Sequence, residues 1–248
     1  MNKLPLNIKL PEQIQKCSCE ETKLNFEENL LDIIEDTFIH SADEDYVAAR
    51  MFILHKMTRA FYWAAGQTIE KYFKAILLQQ GFSVKKCGHS FSKMINEHNN
   101  RFEFLYEIDT QPHDDFPDNV RSLWPFKSII ELVKHIEDNG STDSRYNQVS
   151  LSYVISVLIL FDRLISKIQS QIVRTDTIAE YIQSVNPALE KYLIEQNDCY
   201  GNFKLSGQGV HRAITTLEMV LSGRFGHQSL YEKWLETNMK INLNLLKK

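Results

Sequence analysis

The sequence predicts an all-α protein, an antiparallel four-helix bundle with an additional helical block at its C-terminus. Three observations carry that reading. No segment of useful length shows the period-two alternation of apolar and polar residues that a half-buried strand requires. Apolar residues recur instead at helical spacing in four long stretches, roughly 42–57, 59–80, 121–138 and 147–172. The chain has 248 residues, 43% of them hydrophobic, with fourteen Phe and ten Tyr, enough to pack a core in one large domain or two small ones.

Taken in order, residues 1–41 form an acidic N-terminal segment with a short helix. Residues 1–45 hold eleven acids against four bases, so in a chain of net charge −4 any anion-binding surface must be local. Pro5 and Pro11 interrupt the start, and a short helix is expected from about Glu27 to Ile39. Ser41-Ala42-Asp43-Glu44 has the S-x-x-E form of a capping box and predicts a helix start near Ala42, running to about Met57. Thr58 is placed to cap the next helix, which stops at Gly81, and Ser90 to cap another to about Asn99. Residues 103–118 carry six acids and no Lys or Arg, with Pro112 and Pro117, and read as an irregular loop or a broken short helix. A helical period returns through Leu123, Phe126, Ile130, Val133 and Ile136. Asp138 to Ser144 reads as a loop, and a long helix follows to about Ile172. That helix is apolar almost all round from Leu151 to Phe161, which suits a buried central element.

Residues 42–172 thus make the expected bundle, and 175–248 a further helical block with eight acids and eight bases. In that block Asn186-Pro187 signals a helix start, 199–209 a glycine-bearing loop, 210–221 a helix and 223–226 a turn. A last amphipathic helix uses Leu230, Trp234, Ile241 and Leu245. The four cysteines make no disulfide framework in a chain this long. Cys17-Ser18-Cys19 is too close for a zinc knuckle, and no second pair follows, so no metal site and no cofactor are expected. No apolar leader is apparent, and Leu151 to Phe161 is far short of the roughly 20 residues of a membrane span. A cytoplasmic protein without membrane contact is expected.

The most informative stretch is 59–90. At about 100° per residue, Phe61, Ala65, Ile69, Tyr72, Phe73 and Ile76 share one side of a helix, with Gln67, Glu70, Lys71 and Lys74 opposite. A solvated face with an ordinary Glu70–Lys74 pair is the plain reading of that stripe. Ala65-Gly66-Gln67, Glu70-Lys71, Lys74-Ala75, Leu77 or Leu78, Gly81 and then His89 follow the form A-x-Q-x-x-E-K-x-x-K-A-x-L-x-x-x-G with a later His. In this the chain resembles the HEPN-domain family of small helical bundles, over about residues 42–172. Arg145-Tyr146 also stands where members of that family often carry Arg-Tyr, before the last long helix.

The resemblance implies a homodimer that binds a nucleotide, RNA or a protein partner, including a nucleotidyltransferase-type partner in a toxin–antitoxin or defence setting. The ligand-binding candidates are Gln67, Glu70, Lys71, Lys74, His89, Arg145 and Tyr146. The run Phe61-Tyr62-Trp63 also favours a second subunit, because one core contact cannot absorb three side chains about 100° apart. Some family members are metal-independent endoribonucleases with R-x4-6-H, in which His moves a proton and Arg holds phosphorane charge. After Arg145 the expected positions hold Ser150, Leu151 and Ser152, so the His is missing. Arg50 and His55 match R-x4-H literally, but on one helix they diverge by about 140° and would meet only across a dimer. The reading is therefore a non-catalytic binding module. A HEPN toxin-like endoribonuclease using Arg50 and His55 and a purely structural oligomerisation protein are the alternatives.

Overall fold

A helical run from Glu20 to Leu54 passes straight through the break expected at Ser41. The structure is a computed structural model describing residues 6–112, 124–140, 155–194, 197, 199 and 228–239. After α1 (Glu12–Gln15), α2 (Glu20–Ile34), a five-residue π-turn (Glu35–Ile39) and α3 (His40–Leu54) follow one another without interruption. The capping box fails because a cap requires a residue outside helical φ/ψ, whereas Ile39 (−73°, −54°) and His40 (−60°, −42°) are both helical. The Ser41 hydroxyl takes a tertiary partner instead, accepting from Lys71 Nζ at 2.6 Å. The boundary drawn between residues 41 and 42 thus falls within a continuous helix.

Three residues turn α3 into α4 (Thr58–Gln79), with Lys56 left-handed at φ 60° and Met57 N donating to Phe52 O at 2.7 Å. The hairpin is antiparallel: Asp43 and Asp45, near the start of α3, meet Tyr72 and Lys71, near the end of α4. Gly81 ends α4 as expected, at φ 81°. It is required twice over, since a Cβ there would also overlap the Asn7 carbonyl oxygen. The N-terminal segment crosses at that point, Asn7 N donating to Gln79 O at 2.8 Å.

Ser90 caps α5 (Phe91–Glu97) by accepting from Lys93 N at 3.2 Å. Two short 3₁₀ turns follow, Asn99–Arg101 and Glu103–Glu107, the second inside the segment read as an irregular loop or a broken short helix. α6 (Ile129–Gly140) extends through the start of the expected loop, and its last residue lies so near α4 that a Cβ on Gly140 would overlap the Tyr62 carbonyl oxygen. α7 (Ile155–Gln171) runs parallel to α4, as Phe61–Phe161, Tyr72–Gln169 and Gln79–Val173 contacts follow in order. α8 (Ile178–Val185) opens on a capping box between Thr177 and Glu180. Asn186 caps a 3₁₀ turn (Pro187–Leu189) that leads into α9 (Glu190–Ile194), and α10 (Gln228–Asn238) is the expected last helix. The expected segments 199–209 (Cys199 aside), 210–221 and 223–226 lie outside the described residues, as do Ile241 and Leu245.

Every regular element among the described residues is helical, and none of these helices is long and apolar enough to cross a membrane. One hydrophobic core takes in residues from Ile8 to Met239. The C-terminal segments are part of it. Tyr231 of α10 stacks on Phe26 at 4.0 Å, and Trp234 Nε1 donates to Lys9 O at 2.9 Å. The central helix is α4, buried on most of its circumference and including Glu70 at 6% exposure. Along its polar stripe Glu70 is buried, while Gln67, Lys71 and Lys74 are half-buried.

The glycines give a direct test. Gly81→Ala should cost at least about 2 kcal/mol in urea unfolding, through the left-handed backbone and the overlap with Asn7. Gly66→Ala, at a helical position with nothing within 4 Å, should be neutral or stabilise by roughly 0.5–1 kcal/mol.

Candidate functional site

The loop after Gly81 returns along α4, so that Ser90 and Phe91 at the head of α5 face the middle of that helix. The end of α6 closes the other side. Between them lies a cleft of about 520 Å³, within the range of small-ligand sites. α4 contributes Trp63, Gly66, Gln67 and Glu70, α6 contributes Ile136, Glu137 and Gly140, and the loop contributes His89 with Ser90 and Phe91. Trp63 stands at 45% exposure, while its neighbours Phe61 and Tyr62 are buried. The aromatic run thus sends two rings to the core and one to the cleft.

Glu70 is the electrostatic centre of this cleft. Its buried carboxylate accepts from Lys74 Nζ at 2.6 Å, and His89 Nδ1 lies 3.0 and 3.1 Å from its two oxygens. The His89 ring reaches it from solvent, with 87% of its side chain exposed. Glu137 accepts a hydrogen bond from Ser92. Gln67 hydrogen-bonds to none of the described residues, leaving its amide to face the cleft.

Of the residues expected from sequence, Gln67, Glu70 and His89 are brought together here, with Lys74 held behind Glu70. Lys71 is not. Its ammonium turns to α3 and meets Ser41 Oγ at 2.6 Å and Asp45 Oδ2 at 2.5 Å. Arg145 and Tyr146 lie outside the described residues. Trp63, Phe91, Ile136 and Glu137 escaped the sequence reading. The run Phe61-Tyr62-Trp63 was the available signal for the first, and nothing local marked the others.

Arg50 and His55 do not form a pair. Arg50 is fully buried, ion-paired with Asp162, and its Nε donates to Tyr192 O at 2.6 Å. Tyr46 adds a donated bond to Asp162 at 2.7 Å, and Asn197 donates to Tyr46. Burial works to lower the pKa of Arg50, but the Asp162 carboxylate prevails and raises it. His55 sits at the end of α3, its Nε2 3.3 Å from the Tyr192 hydroxyl.

A second polar cluster gathers at the π-turn. Arg174 holds buried Asp43 through both guanidinium NH groups, at 3.2 and 2.6 Å, while Tyr72 donates to the same carboxylate. Burial nevertheless raises the Asp43 pKa. Beside it, His40 lies among Glu35, Asp36 and Asp176, its ring stacked on Tyr181 at 4.0 Å. Burial opposes its charge, but hydrogen bonds that it donates to Asp176, Asp36 and Glu35 carry its pKa up to about 11.

No protein-family model, curated protein or solved structure matches this chain. The fold and site themselves define a helical protein with one mixed aromatic, amide and carboxylate cleft along its central helix.

Two outcomes follow. Asp162→Ala should lose about 3–5 kcal/mol in urea unfolding, because it strands the buried Arg50 cation. At α6, burial lowers the pKa of His135, whose Nε2 lies 2.8 Å from the Tyr62 hydroxyl. The folded state therefore prefers the neutral ring. Its contribution is complete above the ordinary His value of 6.5 and is lost as pH falls from there towards the lowered value. The change in urea midpoint from pH 7 to pH 5 should therefore be less unfavourable in His135→Gln than in the native protein.

Proposed function

We propose that this chain is a non-catalytic binding module of the HEPN type that takes a nucleotide, or an unstacked base of RNA, in the cleft along α4. The observation that carries this reading is the cleft's composition. Trp63 offers an exposed ring and Phe91 a largely buried one at its wall, while Gln67, Glu70 and Glu137 offer an amide and carboxylates. Bases present a π-face and a row of N–H donors and acceptors to such a lining. A carboxylate accepts two parallel N–H bonds, and among the bases guanine offers them side by side, so guanine should be favoured.

The helical architecture and the α4 motif support the family reading, and with it a homodimer and a nucleotidyltransferase-type protein partner. Phosphate contacts fall to Arg145 in this reading, with His89 shared between Glu70 and the ligand, since Lys71 and Lys74 already neutralise Asp45 and Glu70. RNA cleavage by Arg50 and His55 is no part of it, because the Arg50 side chain has no exposed surface.

Titration of the purified protein with fluorescent GMP, AMP and short single-stranded RNAs tests the proposal. GMP or a G-containing RNA should bind best, and the dimer should be visible by light scattering. Trp63→Ala should weaken binding roughly 5–150-fold, the worth of one stacked base at about 1–3 kcal/mol. Lys71→Gln should leave it unchanged. Failure of every nucleotide and RNA to bind at millimolar concentration would overturn the reading, as would RNA cleavage lost on His55→Ala.

A further inference from the structure

The π-turn between α2 and α3 places metal-ligand chemistry where the sequence shows no metal spacing. Glu35 lies on the turn, His40 is the first residue of α3, and Asp176 follows α7 by five residues. A carboxylate oxygen from each acid and one ring nitrogen of His40 lie within 4.8 Å of one another. His40 Nε2 stands 3.5 Å from Glu35 Oε1 and 3.4 Å from Asp176 Oδ1, longer than ordinary hydrogen bonds. Metal–ligand bonds of about 2.0–2.2 Å in tetrahedral array set neighbouring ligand atoms roughly 3.3–3.5 Å apart. Both of these separations equal such a coordination edge.

The surroundings have the form of an outer shell. Glu35 is oriented by Thr175, whose backbone N and Oγ1 each donate at 3.0–3.1 Å. His40 Nδ1, on the far side of the ring, faces Asp36 Oδ1 at 3.4 Å, the carboxylate–histidine arrangement that turns the other nitrogen to a metal. Arg174 donates to Asp176 at 3.0 Å, but its charge is shared with Asp43, which it holds through both NH groups. Glu35, Asp36 and Asp176 then face His40 with an excess of negative charge. Glu35 and His40 are buried, whereas the Asp176 side chain is 31% exposed and leaves a way in for the ion and its water.

We propose that Glu35, His40 and Asp176 form a binding site for one first-row divalent cation, Zn²⁺ in the first instance. The mixed nitrogen and oxygen donors suit Zn²⁺ or Mn²⁺ over Mg²⁺, which prefers oxygen alone. Such an ion would staple the junction of α2 and α3 to the chain leaving α7. This site is independent of the nucleotide cleft.

Chelator-treated full-length protein, dialysed free of chelator, should bind one Zn²⁺ per chain by calorimetry and show no comparable response to Mg²⁺. Its Tm should rise by on the order of 5–10 °C at Zn²⁺ 100-fold above Kd. Co²⁺ as a substitute should give visible d–d absorption. Asp176→Asn, at the exposed edge of the cluster, and His40→Gln should each weaken binding at least about 10-fold. A Cys17→Ser, Cys19→Ser double variant should bind as the native protein does. Absence of stoichiometric Zn²⁺ binding would overturn the proposal. So would full binding by folded Asp176→Asn, or loss of binding in the cysteine variant.

Discussion

Arg50 and Asp162 are both removed from water, and neither can be so without the other. An unpaired charge at that depth would cost several kcal/mol, whereas the pair with its added hydrogen bonds is tolerable. The pair therefore acts as a register pin. It fixes which turn of α3 lies against which turn of α7, and Tyr46 repeats the constraint one turn earlier on α3. Because Arg50 Nε also holds the Tyr192 carbonyl, and Asn197 the Tyr46 hydroxyl, the chain after α8 is tied to the same point. With α3 and α7 so placed, α4 has only one trough to occupy, and the cleft on its outer side inherits its position from there.

Much of the α4 region was legible because its signals are local. A 22-residue helix with an apolar period, a glycine that alone fits the left-handed turn, and a serine that caps the next helix each act within a few residues. Ser41 shows where such signals fail. Its capping sequence is intact, yet the helix runs through it, because the hydroxyl has Lys71 to bond and the backbone amides beyond it are already paired in a continuous helix.

The polar stripe of α4 was legible only in part. Gln67, Glu70, Lys71 and Lys74 share a face by arithmetic, and arithmetic assigns a polar face to solvent. In the fold that face meets α3 on one side and the returning loop on the other. Its members divide between an ion pair with Asp45 and a cleft shared with His89. The His40 cluster was illegible altogether, as Asp176 stands 136 residues from the ring that it faces. The literal match of Arg50 and His55 to a nuclease spacing carried the opposite lesson. Spacing along a chain says nothing of burial, and in the fold Arg50 is buried against Asp162.

The five-residue π-turn makes the chain forgiving of one change in length at this place and intolerant of the next. A π-turn holds one residue more than an α-helical turn of about the same rise. Deleting one residue between 35 and 39 would let the run close into a regular α-helix with no gap in its hydrogen bonds, and α2 and α3 would keep nearly their present register. Phe26 could still stack on Tyr231, and Asp43 could still meet Arg174. A second deletion has no extra residue to draw on. It would swing α2 by about 100° relative to α3 and shorten the run by about 1.5 Å, so that the two could no longer both face their partners.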